Sequence, residues 1–179
     1  MKVLAFGASN HSKSINKQLV SYAAKTLKEK FHPNADIEIL DLNDYEMPIY
    51  SQDREGASGI PDLAHEFFKK IGEADALLIS YAEHNGSYTA AFKNVFDWMS
   101  RIDSKVYQHK PMVIMSTSPG PGGASSVLAS AVNSAPFFHA EVKASLSVPS
   151  FYENFDVETE RLKSSEINDQ LISALKNLD

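Results

Sequence analysis

The residues best placed to do chemistry stand near the start of the chain: Gly7-Ala8-Ser9-Asn10-His11-Ser12-Lys13-Ser14-Ile15-Asn16. They join a short apolar run to a stretch of helical periodicity. Serine hydroxyls, a side-chain amide, unpaired backbone N–H groups and the positive end of a helix dipole converge there, which is a setting for a phosphate. His11 and Lys13 add positive charge. Neither GxxxxGK[ST] nor GxGxxG is present, so the loop is not of the common nucleotide-binding types. An ordinary Ser-rich turn, with Ser14 as helix N-cap, is the alternative these residues leave open.

Two further loops are unusual. Tyr81-Ala82-Glu83-His84-Asn85-Gly86-Ser87-Tyr88-Thr89 offers exposed main chain that could hydrogen-bond a flat heterocycle. The adjacent Glu83 and His84 read more readily as solvated loop residues than as an acid/base pair. Ser116-Thr117-Ser118-Pro119-Gly120-Pro121-Gly122-Gly123-Ala124 combines glycines, which let backbone approach a ligand, with stiffening prolines. By itself it also reads as a plain Pro/Gly connection.

Composition removes several classes of chemistry. With 0 cysteines there is no thiol nucleophile and no redox dithiol, so redox chemistry would need a bound cofactor. The 6 histidines show no HExxH or other common ligand spacing, and GxSxG is missing, so neither a metal centre nor a serine hydrolase is expected. A net charge of −6 argues against nucleic acid as a partner. No segment approaches the ~20 apolar residues of a membrane span, and the run from Met1 to Phe6 is too short for a signal peptide. A cytoplasmic protein without a membrane partner is expected.

The elements that must position these loops are legible from periodicity. Five apolar, β-branched runs (Lys2 to Phe6, Ile37 to Leu42, Ala76 to Tyr81, Met112 to Ser116 and Glu141 to Val148) alternate with amphipathic stretches. A first helix should follow Ser14 and close at Pro33-Asn34. A second should begin at Pro61, bury Leu63, Ala64, Phe67, Phe68 and Ile71, and end near Gly72. Three more are expected over Ala90 to Met99, Ala124 to Ser134 and Ser164 to Leu178. This order predicts a single α/β domain over residues 1–179: a doubly wound, five-stranded parallel sheet of order 2-1-3-4-5. Ligands of such sheets bind beyond the carboxyl ends of the strands, where all three unusual loops fall. Asn43 to Gly59 is expected as a long irregular loop, of the kind that is often functional.

Together the loops resemble the NADPH-dependent FMN reductase family, which includes quinone, azo-dye and chromate reductases. The family's Gly-Ser-x-Arg-x-x-Ser-x-Asn pattern is matched by Ser9, His11, Ser14 and Asn16, with His11 in the arginine position. Pro-Glu-Tyr-Asn-x-Ser is matched by Ala82-Glu83-His84-Asn85-Gly86-Ser87, and Leu-Lys-Asn-x-x-Asp-Trp by Phe92-Lys93-Asn94-Val95-Phe96-Asp97-Trp98. Met47-Pro48-Ile49-Tyr50-Ser51-Gln52-Asp53 is similar to the family's Leu-Pro-x-Tyr-x-x-Asp. The resemblance implies a flavodoxin-like three-layer sandwich that passes electrons from NADPH or NADH, through FMN, to a small acceptor such as a quinone, azo compound, free flavin or metal oxyanion. It also implies a homodimer or homotetramer. Ser9, His11, Ser14, Ile15 and Asn16 would hold the FMN phosphate, and Ala82, Glu83, His84, Asn85, Gly86, Ser116 and Gly123 the ring end, with no side chain as obligatory acid or base. An electron carrier that does not itself oxidise NAD(P)H, or a flavin-free interaction domain, remains open as an alternative.

Overall fold

The computed structural model describes residues 1–178; Asp179, the last residue of the expected domain, lies outside them. In chain order the elements are β1 (Lys2–Ala8), α1 (Ile15–Lys30), β2 (Asp36–Leu40), a 3-10 turn (Leu42–Tyr45), α2 (Gln52–Ser58), α3 (Asp62–Glu73) and β3 (Ala76–Tyr81). They continue with β4 (Glu83–His84), β5 (Ser87–Tyr88), α4 (Ala90–Ile102), β6 (Pro111–Thr117), α5 (Ser125–Ser134), a 3-10 turn (Ala135–Phe138) and β7 (Glu141–Val148). The chain closes with α6 (Phe151–Asn154), β8 (Phe155–Asp156), β9 (Arg161–Leu162), α7 (Ser165–Leu175) and a last 3-10 turn (Lys176–Leu178).

The main sheet runs β2-β1-β3-β6-β7 with every pair parallel. Without the short hairpin strands this is the expected 2-1-3-4-5 order. Alternate residues of one strand point to opposite faces, so each central strand feeds two cores. Leu4, Phe6, Leu77, Ile79, Met112 and Ile114 pack beneath α3, α4 and α5 with Phe67, Phe92 and Trp98. Val3, Ala5, Leu78, Val113 and Met115 pack beneath α1 and α7 with Leu19, Val20 and Leu171. Near-complete burial on both faces explains why the sequence of β1 and β3 is apolar without alternation.

The structure moves several boundaries. The second strand stops at Leu40, because the Asp41 carboxylate accepts the Asn43 N–H at 2.9 Å and turns the chain into the 3-10 segment. The stretch from Asn43 to Gly59 is therefore partly ordered rather than an irregular loop, and it also contains α2, capped by Ser51. All of α2 lacks buried residues, so it carries no apolar stripe to betray it. Pro61 is the N-cap of α3 instead of its first helical residue.

Two residues seat the first loop on the sheet. Gly7 lets α1 approach β1 at backbone contact: a Cβ there would stand 2.6 Å from the Lys17 nitrogen and 3.0 Å from the Asn16 carbonyl carbon. Asn16, only 2% exposed, spends its carboxamide on the two neighbouring strands. Its Nδ2 donates to the Thr117 carbonyl at 3.1 Å, while its Oδ1 accepts the Thr117 N–H at 3.1 Å and the Ser80 hydroxyl at 2.7 Å. The first turn of α1 is thus pinned to the carboxyl ends of β3 and β6.

Gly7→Ala should cost about 1–3 kcal/mol in chemical denaturation, because the crowding atoms are backbone and cannot swing aside. Asn16→Ala should cost more than about 2 kcal/mol, since it strands the buried Ser80 hydroxyl and Thr117 amide without partners. Equal stability of the Asn16 variant and the wild type would refute the clamp.

Candidate functional site

Beyond the carboxyl ends of β1, β3 and β6 lies a cavity of about 270 Å³, lined by Ser9, His11, Lys13, Ser14, Ile15, Asn16, Ala82, Glu83, His84, Thr117, Ser118, Pro119 and Tyr152. Eight of the twelve residues singled out from the sequence line it: Ser9, His11, Ser14, Ile15, Asn16, Ala82, Glu83 and His84. Asn85, Gly86, Ser116 and Gly123 stand outside the lining.

One end is a concentration of donors. Ser14 is the N-cap of α1, its Oγ accepting the Lys17 N–H at 3.2 Å, while its carbonyl accepts Gln18 N–H at 3.1 Å. The N–H groups of Ile15 and Asn16 fall in the first helical turn, where no intrahelical acceptor exists. Ser9 Oγ accepts the His11 N–H at 3.2 Å. Each of these two serines therefore acts as an acceptor within the loop and retains its hydroxyl hydrogen for a ligand. His11 Nδ1 accepts the Lys13 N–H at 2.9 Å, so the proton of the neutral ring belongs on Nε2, the nitrogen left for an outside acceptor. Two serine hydroxyls, two helix-terminal amides, an imidazole N–H and the Lys13 ammonium fit a dianionic phosphate monoester. The Asn16 side chain does not belong to that set, because the framework consumes it; only its main-chain N–H does.

The other end is built from the second and third loops. Asn85 and Gly86 adopt positive φ, 52° and 75°, and make the two-residue turn of the β4–β5 hairpin, in which His84 pairs with Ser87. Asn-Gly is the signature of that turn, so the hairpin had a readable sequence signal. A Cβ on Gly86 meets no atom within 4 Å, so the position selects glycine through φ. The hairpin is tied down on both sides: Glu83 Oε2 accepts the Val127 N–H at 2.8 Å, and the Thr89 hydroxyl donates to the Ala8 carbonyl at 2.9 Å while accepting the Phe92 N–H. Just before it, burial pushes the Tyr81 phenol well above its ordinary pKa, and it lies 3.0 Å from the equally buried Tyr107 hydroxyl. Both stay protonated at neutral pH and offer no base.

In the third loop, Ser116 is buried and donates to the Gly123 carbonyl at 2.7 Å, an oxygen that also accepts the Ser147 hydroxyl at 2.8 Å. A Cβ on Gly123 would fall 2.2 Å from Ser147 Oγ and 3.0 Å from the Pro149 nitrogen, and its φ is 57°, so both packing and backbone conformation select glycine here. The wall itself comes from Thr117, Ser118 and Pro119. The Ser118 and Gly120 carbonyls accept the Phe151 and Ser150 N–H groups at 3.0 and 2.9 Å, which docks α6 and places the 58% exposed Tyr152 at the cavity. Tyr152 had no sequence signal, since it lies well beyond the last of the three recognised loops, on the far side of α5 and β7. Lys13 was readable as a nearby charge.

The remaining motif lies outside the cavity lining. On α4, Asn94 Nδ2 donates to the Met47 carbonyl at 3.0 Å and its Oδ1 accepts the Tyr50 N–H at 2.8 Å. One turn on, Trp98 Nε1 donates to the Pro48 carbonyl at 2.7 Å. The Met47 to Tyr50 stretch and the Lys93-Asn94-x-x-Asp97-Trp98 pattern are therefore two halves of one contact.

Comparison with known proteins agrees with this geometry. The family model for NADPH-dependent FMN reductase matches residues 1–152. An NADPH:quinone oxidoreductase from Arabidopsis thaliana is 34% identical over 126 residues, which is 70% of this chain and 62% of the relative. An NAD(P)H-dependent FMN reductase from Pseudomonas aeruginosa is 32% identical over 120 residues, 67% of this chain and 61% of the relative. The match thus spans about 62% of the length of such relatives. Among solved structures, a flavoenzyme NAD(P)H:(acceptor) oxidoreductase from Paracoccus denitrificans superposes with a TM-score of 0.74 at 22% identity, covering 99% of this chain and 94% of the other. An FMN-dependent NADH-azoreductase from Bacillus anthracis, solved in complex with FMN, gives 0.67 at 13% identity, covering 98% and 96%. At these identities the structural likeness is one of fold. The family model covers most of the sequence, and the loops it includes are the ones that converge on the cavity: the chain belongs to the NADPH-dependent FMN reductase family.

Proposed function

We propose that the chain is an NAD(P)H-dependent FMN oxidoreductase delivering electrons to a small acceptor of the quinone, azo, free flavin or metal oxyanion type. The observation that carries this reading is the continuity of one cavity from the donor set at the N-terminus of α1 to the main chain of the 82–84 and 117–119 segments. Such a cavity accommodates a molecule with a phosphate at one end and a flat polar ring at the other. The relatives named as quinone and FMN reductases support the same choice.

Bound FMN supplies the hydride-accepting and electron-donating chemistry. The chain's own part is placement. The N–H groups of Ile15 and Asn16, the Ser9 and Ser14 hydroxyls, His11 Nε2 and Lys13 hold the phosphate, and Asn16 keeps that helix end in register with β3 and β6. The hairpin and the 117–119 wall orient the ring, and neither requires an acid or base among the lining side chains. A cytoplasmic homo-oligomer, dimer or tetramer, belongs to the same reading; Phe137 and Ile49, 80% and 74% exposed, are apolar surface available for self-association.

Three outcomes test it. FMN should bind more tightly than riboflavin in equilibrium titration, and Lys13→Ala or His11→Ala should narrow that preference about tenfold by removing a charge-assisted or ring N–H contact. Equal affinity of the wild type for the two flavins would remove the phosphate assignment. Anaerobic stopped-flow mixing of the FMN-loaded chain with NADH or NADPH should bleach the flavin within seconds, with ping-pong steady-state kinetics. If neither nucleotide reduces it while a separate reductase does, the chain is an electron carrier.

A further inference from the structure

Among the residues lining the cavity, Glu83 carries the one carboxylate, and its environment is a helix end. Val127, whose N–H it accepts at 2.8 Å, is the third residue of α5. The α5 N-cap, Ala124, is left-handed and provides no side-chain hydrogen bond. Glu83 therefore caps α5 from a different element, where an anion meets an unpaired N–H and the positive end of the dipole. The far side of the same hairpin reaches the same helix, with the Tyr88 and Ser134 hydroxyls 3.2 Å apart.

The third loop runs straight into this helix end. Gly123 and Ala124, both at positive φ, make the entry, and the Gly123 carbonyl is fixed by Ser116 and Ser147. The bond from Val127 to Glu83 is thus the joint between the second and third loops, both of which supply walls of the ring end. We infer that Glu83 is a positioning residue for the flavin ring, setting the hairpin's distance from α5 and hence the width of the ring end. It transfers no proton to substrate. This inference rests on the reading of the cavity as an FMN site.

The test compares wild type, Glu83→Ala and Glu83→Gln in the full apo chain, by titration with FMN and riboflavin and by amide hydrogen exchange at Val127 and residues 83–88. Glu83→Ala should weaken both flavins about tenfold, leave the FMN-to-riboflavin ratio unchanged because the phosphate end is intact, and speed exchange at Val127. Glu83→Gln, whose amide oxygen can accept the same N–H, should recover most of the affinity and the protection. The inference is overturned if Glu83→Ala binds FMN like the wild type, or if the FMN-to-riboflavin ratio collapses, which would mean damage to the whole site. It is also overturned if Glu83→Gln is as weak as Glu83→Ala, since charge and not the bond would then be responsible. A wild-type chain that binds neither flavin defeats the FMN reading itself, and the role of Glu83 with it; a wild type that binds FMN beside an unaffected Glu83→Ala defeats only this inference.

Discussion

The buried carboxamide of Asn16 is the constraint on which the site depends. In a sheet of order 2-1-3-6-7 the chain leaves β1 for one side and β3 for the other, so a crevice opens between their carboxyl ends. A crevice suits a ligand only if its walls keep their spacing. Asn16 sits on the helix that follows β1 and bonds the ends of both β3 and β6, so one side chain ties that helix to two adjacent strands of the sheet. Because the network is buried and each named group in it is paired, water cannot replace it cheaply, and the first turn of α1 is held in place. Gly7 is the steric half of the same constraint, since only a residue without Cβ lets the helix backbone come down onto the strand.

The loops at this end of the sheet, those of the site and the neighbouring Met47 to Tyr50 stretch, are tied to the helices around them. Thr89 links the hairpin exit to the end of β1 while capping α4. Further along α4, Asn94 and Trp98 hold the Met47 to Tyr50 stretch. Glu83 and Tyr88 reach α5, and the third loop docks α6. Apart from the docking of α6, which is main chain to main chain, each connection pairs a side chain with a main-chain group or a hydroxyl from a distant segment. That pattern fastens the loops without a disulfide, in keeping with a chain that has 0 cysteines.

Electrostatics divides the cavity. The donor end combines a helix N-terminus with Lys13 and His11, whereas the end formed by the hairpin and the 117–119 segment has a single carboxylate whose Oε2 accepts a helix N–H. The nearby Tyr81 and Tyr107 phenols are raised by desolvation and stay neutral. Such an arrangement places the positive groups at one end of the cavity and leaves the neighbouring phenols without a role as bases.

The amino-acid sequence by itself determined the strand order, the two cores and the convergence of three loops, because these follow from apolar periodicity and from where parallel strands end. It also determined most of the donor end, since Ser9, His11, Ser14, Ile15 and Asn16 fall within one short loop and the helix turn after it, and a helix N-terminus is a local object. Short elements were lost where the local signal is weak: α2 buries nothing, and the turn at Asp41 depends on one side-chain acceptor. Only the tertiary structure decided which polar groups remain available to a ligand. Asn16, Ser116 and Gly123 look like ligand contacts in the sequence, yet the carboxamide, the hydroxyl and the carbonyl are taken by Thr117 and Ser80, by Gly123, and by Ser116 and Ser147. Tyr152 and the cap that Glu83 gives α5 arise from segments far apart in the chain. A hydrogen-bonding group can be spent only once in a given direction, and its partner is chosen by packing across the fold, which no local pattern encodes.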